Sequence, residues 1–120
     1  MVVLKRLDDA ERDGDRILAT ILGSAVNNDG RGSGLLLQPA VDGQVDMLRA
    51  ACASAGIEPR QLDYVEAHGT GTAVGDGVEL RALARATARP ADRPLPTGSV
   101  KTNIGHAESA AGIAASSRPS

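Results

Sequence analysis

At 120 residues and a formal net charge of −2, the chain has the length of one ordinary domain and no bulk attraction for nucleic acid or an anionic membrane. A single cysteine, Cys52, excludes an intrachain disulfide and suits a reducing cytoplasm, the start lacks the apolar region of a secretory signal, and no apolar run nears the ~20 residues of a membrane span. Phe and Trp are absent and Tyr64 is the only aromatic residue, so small side chains must build the core; they bury little area each, which predicts marginal stability alone and membership of something larger.

Residues 2–7 read as a short strand. Residues 8–15 are charged and contain Asp13-Gly14, a turn signal, and residues 16–26 read as a second strand paired with the first in a hairpin. Asn27-Asn28-Asp29-Gly30-Arg31-Gly32-Ser33-Gly34 is a loop of residues that tolerate positive φ. A helix over 42–55 follows, because Val41, Val45, Leu48, Cys52 and Ala55 share one helical face, and Gly56 closes it. Residues 62–67 read as a buried strand and 68–75 as a Gly/Thr loop. Asp76 opens a second helix to Ala88, with Glu79 completing a capping box. Residues 90–96 form a linker and 97–100 a short strand. A third helix begins at Gly105 or His106 and is lined by Ala107, Ala110, Ala111 and Ala114. Strands alternating with helices predict an α/β fold: a mixed sheet with packed helices and at least partly parallel pairing. Residues 115–120 lose all periodicity and are expected to form a disordered tail.

The only two histidines, His68 and His106, each follow a strand-like run and sit beside glycine. Imidazoles so placed can hydrogen-bond a carbonyl oxygen or move a proton near neutral pH. On spacing alone His68 reads either as an imidazole over a reacting carbonyl, with Thr70 and Thr72 holding a polar arm of the substrate, or as a turn histidine satisfied by backbone. His106 reads either as an oxyanion donor kept neutral by a helix N-terminus or as a capping residue. Lys101 reads either as a partner of His106 or as a solvated strand end. For Asp76 and Glu79 the capping explanation suffices, and Cys52, on an apolar helix face, reads as core. Two distant histidines and one core cysteine make a poor zinc set, so no metal site is assigned. Gly69-Thr70-Gly71-Thr72-Ala73-Val74-Gly75 loosely resembles a dinucleotide fingerprint. Its spacing departs from G-x-G-x-x-G, and the next strand ends without the acid that would hold a ribose.

Val65-Glu66-Ala67-His68-Gly69-Thr70-Gly71-Thr72 and Gly98-Ser99-Val100-Lys101-Thr102-Asn103-Ile104-Gly105-His106 resemble the two histidine motifs of the ketosynthase (β-ketoacyl synthase) domain of modular type I polyketide synthases. Gly23-Ser24-Ala25-Val26-Asn27-Asn28-Asp29-Gly30 and Leu62-Asp63-Tyr64-Val65-Glu66 are also similar to that family. The likeness runs over residues 1–114, mainly from the C-terminal half of the domain, with residues 115–120 as a non-homologous tail. The resemblance implies a partial thiolase-like fold from a domain that works as a homodimer. It implies decarboxylative Claisen condensation of an acyl thioester with a malonyl-type extender on acyl carrier protein. His68 and His106 would be the catalytic histidines, Lys101 would support them, and Thr70 and Thr72 would contact the phosphopantetheine arm. No tightly bound cofactor is implied.

The departures are as informative. The family's nucleophilic cysteine lies in a Cys-Ser-Ser elbow that this chain lacks, and Cys52 does not match it. The missing N-terminal half of the ketosynthase is therefore an expected partner, and the isolated chain is expected to be inactive. Gly77 stands where the family usually has Pro, which predicts a helix start looser by up to roughly 1 kcal/mol. Leu35-Leu36-Leu37-Gln38-Pro39 replaces a more polar segment. The alternatives are a non-catalytic interaction module or truncated remnant and, more weakly, a nucleotide-binding α/β domain.

Overall fold

In the computed structural model, which describes residues 1–28 and 40–117, two helices and a pair of short parallel strands carry most of the packing. Helix α1 is Leu7–Asp13, α2 is Val41–Ser54, α3 is Ala73–Thr87, α4 is Lys101–Ile104 and α5 is Ala111–Ser116; strands β1 and β2 are Val65–Glu66 and Thr97–Gly98. Single 3₁₀ turns occupy Pro59–Gln61 and Glu108–Ala110.

The core sits between α2 and α3. Val45 is 2% exposed, Ala82 is 0% and Ala86 is 9%, with Val41 and Leu48 packed against them. Val78, Ala82 and Ala86 recur every four residues along one buried face of α3, and the small side chains of Ala82 and Ala86 pack against Val45 of α2. Asp42 and Arg85 bridge the two helices at their exposed edge, 2.7 Å apart. Helix α2 ends as its sequence suggests: Gly56 takes φ 70, its N–H donates to Ala53 O, and Ile57 N–H donates to Cys52 O. Beyond α3, the Arg89 guanidinium donates to the carbonyls of Arg60 and Leu62 and ties the helix exit to the approach of β1.

Strands β1 and β2 pair in parallel, Val65 opposite Thr97 and Glu66 opposite Gly98. Val65 N–H donates to Pro96 O and Ala67 N–H to Gly98 O. Helix α3 makes the crossover between them, a β-α-β unit. Both strands are shorter than the expected runs 62–67 and 97–100, because each has only the other as a neighbour among the described residues.

Other expectations are corrected. Residues 2–7 form no strand; the chain turns instead into α1, whose Asp8 and Asp9 in the first turn and Arg12 in the last suit the helix dipole. Asp13-Gly14 ends that helix rather than turning a hairpin: Gly14 has φ 69, and Asp15 N–H donates back to Ala10 O. Residues 16–26 carry no assigned strand, since a strand is stabilised by cross-strand neighbours and none lies beside it among the described residues. Leu18, Ile21, Leu22 and Val26 are exposed there. Of the loop expected over 27–34, Asn27 and Asn28 are described, and Asn27 Nδ2 donates to Gly43 O; residues 29–34 and the Leu35-to-Pro39 segment lie outside the described residues.

Helix α3 starts at Ala73, three residues before Asp76, with Thr72 as N-cap and no capping box. Gly77 is therefore inside the helix and not at its first position. The single third helix is replaced by α4, the 3₁₀ turn and α5, because Gly105, at φ 74 and ψ −175, breaks the run. Helix α5 takes in Ala115 and Ser116, while residues 118–120 lie outside the described residues.

Candidate active site

Parallel pairing places the C-terminal ends of β1 and β2 side by side. The two segments that leave those ends carry His68 and His106, and their ring centroids lie 5.4 Å apart in a T-shaped arrangement, at an interplanar angle of 87°. The segments touch at Gly69 and Ser99. Gly69 has φ 46, and a Cβ there would lie 2.8 Å from Ser99 Cβ, so only glycine allows both the turn and the approach. Ser99 is 7% exposed and anchors the second segment: its carbonyl accepts from Thr102 N–H and Thr102 Oγ1, and its Oγ from Lys101 N–H.

The His68 backbone is held by a residue whose spacing suggests a helix cap. Glu79, on α3, accepts from His68 N–H at 2.7 Å and from Gly69 N–H at 3.0 Å. Its carboxylate thus satisfies two donors of the histidine loop and not the N-terminus of its own helix. A carboxylate on these amides also occupies the place where a pyrophosphate would be cradled, which weighs against the nucleotide reading. In sequence the acid carries only the spacing of a capping box; with the helix starting at Ala73 it lies well inside α3, where side chains lean back toward the preceding loop.

His106 precedes a 3₁₀ turn and not a long helix. Its Nδ1 accepts from Glu108 N–H at 3.0 Å. With Nδ1 accepting, the neutral imidazole carries its proton on Nε2, which is then the atom available to donate. The Glu108 carboxylate, 90% exposed and 3.9 Å from Nδ1, adds little. The His106 side chain is 35% exposed, and His68 is also open to solvent.

Thr70 and Thr72 follow His68 with their hydroxyls 3.3 Å apart. Both line a cavity of about 710 Å³ together with His68, Glu79 and the apolar side chains of Met47, Leu48, Val74 and Leu83. Lys101 and His106 lie outside its lining. Lys101, half-buried on α4, makes no side-chain hydrogen bond or ion pair with the described residues; its carbonyl accepts from Gly105 N–H and so steers the backbone into His106. Cys52, 5% exposed inside α2, is not among the lining residues, and burial pushes its thiol above the ordinary range.

Residues 18–118 match the family described as beta-ketoacyl synthase, C-terminal domain. A phenolphthiocerol/phthiocerol polyketide synthase polypeptide of Mycobacterium tuberculosis is 60% identical over 116 residues, which cover 95% of this chain and 6% of the relative. The highly reducing polyketide synthase srdA of Neurospora crassa is 48% identical over 112 residues, covering 93% of this chain and 5% of the relative. Among solved structures, the oxazolomycin ketosynthase domain OzmH KS7 of Streptomyces albus superposes with a TM-score of 0.80 at 47% identity, over 92% of this chain and 19% of that one. The ketosynthase from module 6 of the bacillaene synthase of Bacillus subtilis gives a TM-score of 0.83 at 41% identity, over 93% of this chain and 20% of that one. The chain thus spans a small part of the proteins it matches.

Proposed function

Because the chain belongs to the β-ketoacyl synthase family, matching its C-terminal domain, we propose that it supplies the paired histidines of a polyketide-synthase condensing domain. Residues 1–114 are the ketosynthase part on this reading. The complementary N-terminal half, absent from this sequence, brings the cysteine on which the acyl group rides as a thioester. Acyl carrier protein brings the malonyl-type extender on its phosphopantetheine arm, and no tightly bound cofactor is needed. The assembled domain works as a homodimer in the cytoplasm, and no helix among the described residues is long and apolar enough to cross a membrane.

In the reaction, the extender loses its carboxyl group as carbon dioxide and the electron pair stays on the α-carbon as an enolate. That carbon attacks the acyl thioester, a carbon–carbon bond forms, and the cysteine thiolate leaves. His68 and His106 donate N–H to the extender's thioester carbonyl as negative charge builds on its oxygen. Lys101 supports the pair through the backbone that leads to His106. Thr70 and Thr72 hold the pantetheine arm where it passes the cavity. The observation that carries this reading is the 5.4 Å approach of two rings from separate strand ends, with His106 Nδ1 already engaged and Nε2 left to donate.

The test is His106→Ala in a complete ketosynthase domain built around residues 18–118. Condensation turnover is expected to fall about a hundredfold or more, the loss typical of an oxyanion donor. Turnover equal to the parent's would end the assignment. The exposed apolar residues of the 16–26 segment favour a second reading, a non-catalytic module that pairs with a complementary half-domain. That reading predicts undiminished turnover in the same variant with loss of assembly when the apolar residues are changed.

A further inference from the structure

The two strands share a ladder only two residues long, and it stops at Gly98. Beyond it, Ala67 N–H still donates to Gly98 O, and past that bond each histidine segment leaves its strand with no further backbone rung between the exits among the described residues. A side chain makes the next connection. Glu66, the last residue of β1 and two before His68, reaches across to the other segment, and its Oε1 accepts from Val100 N–H at 2.5 Å. Tyr64 Oη donates to the other oxygen, Oε2, at 3.0 Å and sets the rotation of the carboxylate.

Val100 is the residue from which the His106 segment is built. Its carbonyl accepts from Asn103 N–H and Ile104 N–H, and Lys101 O accepts from Gly105 N–H, so α4 is a single turn hung on Val100 and Lys101. Gly105 then leads directly into His106. Holding Val100 therefore holds the start of the turn that aims the second imidazole. The backbone of Glu66 itself runs on through Ala67 into His68.

We propose that Glu66 is a positioning residue for the condensation chemistry: its carboxylate, oriented by Tyr64, fixes the His106 segment relative to the strand that carries His68. The inference rests on the catalytic reading of the two histidines and adds to it the element that sets their separation. Geometry fixes what can replace the residue. Glutamine keeps an oxygen acceptor at the same reach. Aspartate is one methylene short, and alanine leaves Val100 N–H without this acceptor.

The experiment has two parts. In the intact 120-residue chain, amide exchange at Val100 and the cross-peak between the His68 and His106 rings are followed by NMR. Glu66→Ala is expected to speed Val100 exchange about tenfold or more and to abolish the cross-peak, whereas Glu66→Gln preserves both and the amides of α2 and α3 stay as in the parent. Tyr64→Phe, a smaller change at a partly exposed position, is expected to speed the same amide by a few-fold, and decides the matter if Glu66→Ala does not fold. In the complete domain, Glu66→Ala is expected to lower kcat about ten- to a hundredfold with little change in KM for the loaded carrier, and Glu66→Gln to restore most of it.

Val100 exchange and ring contact unchanged in Glu66→Ala overturn the proposal. So does a kcat equal to the parent's where His106→Ala is inactive, and in that case the catalytic reading stands. Full turnover in His106→Ala overturns the catalytic reading and the positioning role with it.

Discussion

Glu79 sets a carboxylate against two adjacent backbone N–H groups, His68 and Gly69, and thereby fixes the turn on which one imidazole is mounted. Charge-assisted bonds of this kind are worth more than neutral ones, and the partial exposure of the site reduces that worth. Glu79→Ala should cost about 1–2 kcal/mol in urea unfolding, and Glu79→Gln, which keeps one acceptor, should cost less. Equal stability of the parent and the alanine variant would show that water replaces the carboxylate without loss. The histidines themselves were legible from their setting after strand-like runs beside glycine. Glu79 was not, because a capping box and a long-range contact begin from the same spacing, and only the position of the helix start, at Ala73, separates them.

At the level of elements, two glycines behave oppositely. Gly77 lies inside α3 with ordinary helical backbone, and a Cβ there would meet Arg81 at 3.5 Å, a normal contact. Gly77→Ala should therefore stabilise the chain by about 0.4–1 kcal/mol, read as a raised urea midpoint with unchanged slope. Gly23 lies against the end of α2, where a Cβ would fall 2.4 Å from Ala55 N and 2.9 Å from Ala51 O, so the segment over 16–26 is pinned there through backbone contact and not through a sheet. The helical faces of α2 and α3 could be read in advance because a helix satisfies its own hydrogen bonds, and its apolar period survives in any tertiary setting. The strands over 2–7 and 16–26 could not, since a strand exists only where another edge meets it.

For the whole molecule, the surface decides. The chain exposes 9059 Å², against roughly 6,000 Å² for a closed monomer of this mass. Its radius of gyration is 15.9 Å, against roughly 14 Å for a compact domain of this length. The core between α2 and α3 is one-sided, and Ile21, Leu22 and Val26 face solvent. Urea unfolding of the chain alone should show a slope near the low end of the usual range, about 1 kcal/mol/M, because little surface is newly exposed. Adding the complementary ketosynthase half should raise both slope and midpoint, and an unchanged curve would count against docking of the two.

Local chemistry along the chain was sufficient to determine the alternation of helices with strands between α2 and β2, the small-residue core and the two histidine motifs, because these depend on neighbours within a few residues. The two-residue register of β1 with β2, the 5.4 Å meeting of His68 with His106 and the reach of Glu66 and Glu79 across loops were decided only by the tertiary structure. They join residues 10 to 38 positions apart, and no local preference of the backbone encodes which donor will find which acceptor at that range.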